Sequence, residues 1–330
     1  MGSTLILCDG HNGIGLAKRL ARNGTVCKVH IQPDQGYLLD SANPSVIGKL
    51  SMLEQYDLIL NQTNGFTDTP HTMCNSPFCQ LVQNEKDYFT EVAKLLDVKI
   101  AVTCDFPLFV TGWFDGETFR TFTASISYNR EHDGGRGRKS LPFQAFGRVT
   151  WHLPECDLTR PLTTITKLLQ KVAYHGPITF VYEIAPDGFY LLMILPQFFT
   201  YETFELFRGN EFDLLWQLKM KQPIELTDQY AISVSILCYG KPQTKVVEFD
   251  DGAERHTFLD NLGLPQMLAT NDPWLGQVTA RSQTVHEARR RAYRTVQNCI
   301  CTPDVFYRTD IGCDVESKIS KLKEWGHVHV

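Results

Sequence analysis

The sequence predicts a mixed architecture: a parallel α/β amino-terminal unit, an α+β body and a small β-rich closing unit. Two observations carry this. Strands and helices alternate up to about residue 104, and from Phe106 the pattern becomes strand-rich, with tight turns such as Asp115-Gly116 and Pro186-Asp187-Gly188. With 330 residues, 43% of them hydrophobic and 11% aromatic, the chain can bury a sizeable core spread over more than one unit. The expected boundaries are 1–104, 105–222 and 223–330.

The elements are justified in chain order. Thr4 to Cys8 reads as a strand, Asp9 to Gly15 as a glycine-bearing turn, the stretch through Arg22 as a helix and Val26 to Ile31 as a second strand, which makes a βαβ opening. Tyr56 to Leu60 is a further apolar strand that ends in Asn61-Gln62-Thr63-Asn64-Gly65. A helix over Glu85 to Leu96 leads into a strand over Lys99 to Cys104. Alternation of this kind predicts a parallel sheet with ligands at its carboxyl edge. Phe106 to Ser127 then reads as a strand pair, and Asn129 to Ser140 as a polar, basic loop. A helix over Leu162 to Ala173 precedes a hairpin of Ile178 to Ile184 and Phe189 to Leu195, and a long helix runs from Glu202 to Lys219. Strands over Ala231 to Tyr239, Thr244 to Phe249 and Gln277 to Ser282 close the chain with one more helix. For that helix Thr284 is the expected N-cap and Glu287 the capping-box acid, while Ala288, Ala292, Tyr293, Val296 and Ile300 form its apolar stripe.

Composition excludes several classes of function. A net charge of −5, from 37 acids and 32 bases, gives no overall field to recruit nucleic acid or an anionic membrane, although a local patch remains open. No run of about 18 apolar residues occurs and the first residues lack a basic, apolar leader, so a soluble intracellular, cytoplasmic protein is expected. The 10 cysteines are scattered, mostly in apolar settings, and read as reduced core residues; Cys74 and Cys79, or Cys299 and Cys301, lack the spacing of a zinc knuckle.

The closing helix and the Phe306-Tyr307-Arg308-Thr309-Asp310-Ile311-Gly312 run after it resemble the carboxy-terminal end of phosphoribosylamine-glycine ligase, the ATP-grasp enzyme of purine synthesis that joins glycine to phosphoribosylamine. Asp9 to Gly15 stands where that family has its GxGGREHA loop, and Tyr56 to Leu60 where it has the strand before a GPE turn. Lys86, Phe89 and Leu95 fall in its SKxFxKxFL helix, Phe114-Asp115-Gly116-Glu117 in its FLDGEE segment, and Glu205 to Leu218 around its MLRMKSDLVELL helix. The resemblance implies a Rossmann-like amino-terminal domain, a reduced ATP-grasp-like central domain and a β-rich carboxy-terminal domain.

Departures from the family pattern are as informative. Between Thr103 and Phe109 the family inserts a lid carrying a phosphate-binding lysine and a glycine-rich flap, whereas here one strand runs almost directly into the next. A clamp without one jaw loses both positioning and exclusion of water. The family's magnesium-binding EFNxRFGDPE run corresponds to Ile194 to Glu202, where the acid and the asparagine are Ile194 and Pro196, and the arginine is Phe198. Apolar side chains do not bind Mg²⁺, so no metal is expected, with Gln197, Glu202 and Glu205 as the nearby groups from which a shifted site would have to be built. The GPE turn has become Gln62-Thr63-Asn64.

The leading expectation is a divergent, catalytically degenerate homologue with a binding or structural role and no cofactor. The rivals are an active ATP- and Mg-dependent carboxylate-amine ligase joining glycine to an amine on a sugar-phosphate or nucleobase-like acceptor, and a nucleotide-sensing regulator. Candidates for phosphate or nucleotide binding are Gly10, Gly13 and Gly15 in the first turn, Arg136 and Arg138 in the basic loop, and Arg308 and Asp310 in the tail, these last two also readable as a structural ion pair. Partners open to such a chain are further copies, another protein, or a small nucleotide or ribose phosphate. Membrane and general nucleic-acid binding are not expected. Compact divergence of this kind also suits a virus-encoded or accessory gene.

Overall fold

The computed structural model describes residues 2–9, 13–32, 45–46, 55–63, 72–74, 77–140, 145–196, 200–209, 211–238, 256–259, 274–299 and 305–328. It opens with β1 (Ser3–Asp9), α1 (Ile14–Arg22), β2 (Val26–Gln32), β3 (Ser45–Val46), β4 (Leu58–Gln62) and β5 (Thr72–Met73). These strands form a parallel sheet in the order β3-β2-β1-β4-β5, as the βαβ pattern requires. Apolar runs in β1 and β4 bury Leu5, Ile6, Leu58 and Leu60 completely.

Next come α2 (Pro77–Asn84) and α3 (Lys86–Leu95), then β6 (Pro107–Phe114), β7 (Phe119–Ser127), β8 (Arg130–His132), β9 (Arg136–Lys139) and β10 (Gly147–His152). After α4 (Arg160–Thr164), α5 (Thr166–Lys171), β11 (Gly176–Ala185), β12 (Gly188–Pro196), α6 (Tyr201–Phe204) and α7 (Glu211–Lys219), the chain continues through β13 (Tyr230–Cys238), β14 (Thr257–Leu259) and β15 (Trp274–Ser282). It closes with α8 (Val285–Cys299), β16 (Val305–Phe306) and α9 (Val315–Glu324). A large antiparallel sheet runs β12-β11-β6-β7-β10-β13-β15-β14, with β16 paired to β13. Because β10 bonds to β13, strands on both sides of the expected 222/223 boundary share this one sheet.

Its two faces differ sharply. Val110, Ala124, Ile126, Val149, Phe180, Ile232 and Ala280 look into the main core, where α8 adds Val285, Ala288, Ala292 and Val296. The apolar stripe read from the sequence is therefore the packed face of α8, apart from Ile300, which lies outside the described residues. Thr284 Oγ1 accepts the Glu287 N–H at 3.2 Å, so the N-cap forms; the Glu287 carboxylate instead takes Arg290 and Arg291.

Several expectations need correction. Lys99 to Cys104 is not a strand: only Ile100 bridges to Leu191, in parallel, before the chain leaves the sheet edge to enter β6. The long helix breaks at Gly209, whose φ of 138° no helix accepts, and Phe207 bridges to Leu226 instead. The helix over Leu162 to Ala173 divides into α4 and α5 at Ile165. Asn129 to Ser140 is a β-hairpin, turned at Gly134 and Gly135 with φ of 67° and 70°. The strand Thr244 to Phe249 lies outside the described residues. No helix among the described residues is long and apolar enough to cross a membrane.

Gly147 marks the tightest point of the β10–β13 seam, since a Cβ there would lie 2.7 Å from both Ile311 Cγ1 and Ser233 O. Gly147→Ala is expected to cost about 1–3 kcal/mol through overpacking, read as a lowered urea midpoint at unchanged slope.

Candidate functional site

Strand alternation places the second face of the large sheet opposite the core. On it, Phe109, Ser125, Thr150, Ala231 and Arg281 form one row, flanked by Thr111 and Thr123 on one side and Ser127, Arg148, Ser233 and Thr279 on the other. Most of these groups are polar, and Ser125, Arg148, Thr150, Ser233 and Thr279 are buried. The α6 turn lies across β10, β13 and β15 and lowers Glu202 onto them. Thr150 Oγ1 donates to Glu202 Oε1 at 3.0 Å and lies 3.0 Å from Ser125 Oγ. Arg148 Nε donates to Ser127 Oγ at 2.8 Å, with its guanidinium 5.9 Å from the centre of the Phe109 ring. Burial lowers the Arg148 pKa to about 10, against the opposing pull of the Glu202 charge. The second Glu202 oxygen, Oε2, is buried without a hydrogen-bond partner among the described residues.

Beyond α6, Glu205 Oε1 accepts from Thr279 Oγ1 at 2.7 Å and lies 3.2 Å from His256 Nδ1, while Arg281 Nη1 donates to the Glu205 carbonyl at 2.7 Å. Burial works to raise the Glu205 carboxyl, but the hydrogen bonds from His256 and Thr279 and the charges of His256 and Arg19 together hold it below its ordinary value. Glu202 and Glu205 thus point into separate internal networks. Among the described residues no three His, Cys, Asp or Glu side chains gather as metal ligands, and Gln197 lies outside them. The donors present do not fit the convergent oxygen set that Mg²⁺ requires.

The remaining sequence candidates fall in two places. Gly13, with a φ of 100°, caps the amino end of α1, and Gly15 is buried in its first turn; Gly10 lies outside the described residues. At the neighbouring strand end, Asn61 Oδ1 accepts from the Thr63 N–H at 2.9 Å and its hydroxyl at 2.7 Å, an internal turn where the family's GPE stands. Arg136 and Arg138 are exposed on β9, whereas Arg308 is buried. Arg308 grips Asp310 with two bonds of 2.8 and 2.7 Å and donates to Arg130 O at 2.7 Å. Burial raises the Asp310 carboxyl, yet Arg308 and the Gly134 N–H outweigh it and hold that carboxyl low. The ion-pair reading of the tail describes this geometry.

Two features escape sequence reasoning. Nothing local singles out Arg148, although the alternating hydroxyls Thr121, Thr123, Ser125 and Ser127 in β7 signal a polar face. Glu183 accepts from Asp105 N at 2.9 Å and Phe106 N at 3.0 Å, closing the link that enters β6. Beside it lies a cleft of about 620 Å³ bordered by Val102, Phe106, Tyr190, Lys321 and Trp325.

No protein-family model matches the chain, and no curated protein matches it. Solved structures do. Phosphoribosylamine–glycine ligase from Thermotoga maritima superposes with a TM-score of 0.72 at 14% identity, covering 94% of this chain and 100% of that one. The biotin carboxylase domain of a single-chain bacterial carboxylase gives 0.62 at 12% identity, covering 98% and 100%. Phosphoribosylglycinamide synthetase from Anaerococcus prevotii gives 0.58 at 7% identity, covering 90% and 98%. The chain therefore shares the fold of these enzymes. At these identities the likeness concerns the fold.

Two outcomes are expected. Arg148→Met leaves Ser127 without its donor and Glu202 without a nearby cation, and should cost about 1–3 kcal/mol, part of it recovered in Arg148→Met/Glu202→Leu, as urea midpoints of the single and double variants will show. Because the folded Glu205 carboxyl titrates below its ordinary value of 4.5, its stabilisation is present above that pH and lost as pH falls through the lower folded value. His256→Asn should shrink that acid-side loss in melts recorded across the same range.

Proposed function

We propose that the chain is a divergent homologue of phosphoribosylamine–glycine ligase that has lost independent ligation and retains a binding or structural role. The observation that carries this reading is the internal commitment of both remaining carboxylates: Glu202 to Thr150 and the field of Arg148, Glu205 to His256 and Thr279. The direct passage through residues 96–106 from α3 to β6, where the resembling family places its lid, agrees with it. An active carboxylate-amine ligase drawing on Glu202 Oε1 and Glu205 Oε1 would take them from Thr150, Thr279 and His256, stranding buried polar groups. Gly13 keeps the α1 terminus in a form suited to a phosphate, which favours a nucleotide-binding role over a purely structural one.

Purified protein given ATP, Mg²⁺, glycine and phosphoribosylamine is expected to release no ADP above the protein-free background. Sustained turnover abolished by Glu202→Gln would overturn the proposal. A thermal-shift panel of ATP, AMP, glycine and ribose phosphates then divides binding from structure, since a specific ligand raises Tm by mass action without ADP release.

A further inference from the structure

The β8–β9 ribbon sets basic residues opposite one another. Arg130 lies directly opposite Lys139, and His132 opposite Arg136. Like charges facing across a strand pair destabilise it. The ribbon carries Arg130, Arg136, Arg138 and Lys139, all exposed, against two acids. Of these, Glu131 is half-buried, and Asp133 is turned away to accept the Thr309 N–H at 2.9 Å and the Thr309 hydroxyl.

The repulsion is held in place by the rest of the fold. Buried Arg308 donates to Arg130 O, the Gly134 N–H donates to Asp310 Oδ2 at 2.8 Å, and the Phe306 ring stands edge-on to His132 with centroids 5.7 Å apart. Gly137 lacks a side chain where a Cβ would meet His132 Cδ2 at 2.7 Å, so the imidazole closes over the strand. Arg130, Arg136 and Lys139 each face a cross-strand partner and so share one side of the ribbon, while the bulge at Gly137, with a φ of 79°, turns Arg138 to the other.

From this arrangement we infer that the ribbon is a sequence-independent docking surface for the phosphodiester backbone of a nucleic acid. A single small anion gains little from exposed cations. A polyanion touches several at once and releases condensed counterions. Arginine supplies three of the four cations, and its planar fork fits phosphate oxygens two at a time. An acidic peptide offers carboxylates on rotatable side chains that must be immobilised one by one, whereas phosphodiester charges come fixed at regular spacing. The overall charge of −5 opposes the approach of any polyanion, so the contact is confined to this face and steeply salt-dependent.

Fluorescence anisotropy of the full chain with a labelled single-stranded RNA and a labelled DNA duplex tests this across a salt series. Binding is expected at low salt, weakened at least about tenfold by Arg136→Glu/Lys139→Glu. In Arg136→Gln/Lys139→Gln the slope of log affinity against log salt should fall by about 2. Lys323→Gln on α9 should change neither, and unchanged melting temperatures will show that the exposed variants remain folded. The inference is overturned by absence of binding at low salt, by binding indifferent to both double variants, or by a poly-glutamate peptide binding as tightly as RNA, which would assign the ribbon to an acidic protein.

Discussion

A guanidinium only 2% exposed, in the middle of a β-sheet, constrains everything laid over it. Moving a cation out of water costs several kcal/mol unless a counter-charge and hydrogen bonds replace the lost hydration. Arg148 obtains these from Ser127 on the adjacent strand, from the Phe109 ring, and from the charge of Glu202. The strand neighbours must be small and hydroxylated for the long side chain to lie along them, which is what Ser125, Ser127, Thr150 and Ser233 supply. The α6 turn must in turn hold Glu202 at that spot, since a carboxylate with no cation nearby would be no more tolerable in this setting than the arginine alone.

With α6 held there, its neighbours in chain and in space are held too. Glu205, one residue past α6, ties to Thr279 on β15 and to His256 beside β14, and Tyr201 stacks on Phe258 of β14 with ring centroids 4.4 Å apart. The other side of that contact belongs to the amino-terminal unit. Arg19 of α1 stands 5.5 Å from the Phe258 ring centre and bonds Glu211 at 3.0 Å, and Asn23 bonds the second oxygen of Glu211 at 2.7 Å. Continuous contacts therefore run from Arg148 through α6 and β14 to α1, the helix whose amino end Gly13 caps. Contiguity of this kind is the physical route by which a ligand at the Gly13 turn would bias the packing of α6, although coupling itself is a property of two alternative arrangements.

Patterns local in sequence are legible, and pairings distant in sequence are not. The period-two alternation of Phe119 to Ser127 and the helical stripe through Ala288, Ala292 and Val296 each lie within one element, so sequence alone reveals them. The partnership of Arg148 with Glu202, or of Glu183 with the N–H groups of Asp105 and Phe106, depends on which strands become neighbours. The stretch after Glu202 reads as one long helix because most of it favours helix, yet Gly209-Asn210 marks in the sequence the break that the positive φ at Gly209, with Phe207 drawn to Leu226, shows. Arg308 and Asp310 stand out through a family resemblance that hints at a ligand. Their proximity in sequence makes an ion pair equally readable, but not the hairpin that the pair anchors.

The entry into β6 shows why the absence of an inserted jaw and the closing of the polar face belong together. A chain leaving a sheet edge exposes backbone N–H groups that must find acceptors. Glu183, on the polar face at the end of β11, accepts two of them, so one of the carboxylates on that face is spent on a backbone repair. Glu202 Oε1 accepts from Thr150, and Glu205 Oε1 accepts from Thr279 with His256 beside it. Each of these two engagements stabilises the fold and occupies one carboxylate oxygen, Oε1 in both Glu202 and Glu205, while Glu202 Oε2 has no hydrogen-bond partner among the described residues. Reversing them would leave the Thr150 and Thr279 hydroxyls without these acceptors. The proposed loss of ligation is therefore one that these internal hydrogen bonds favour.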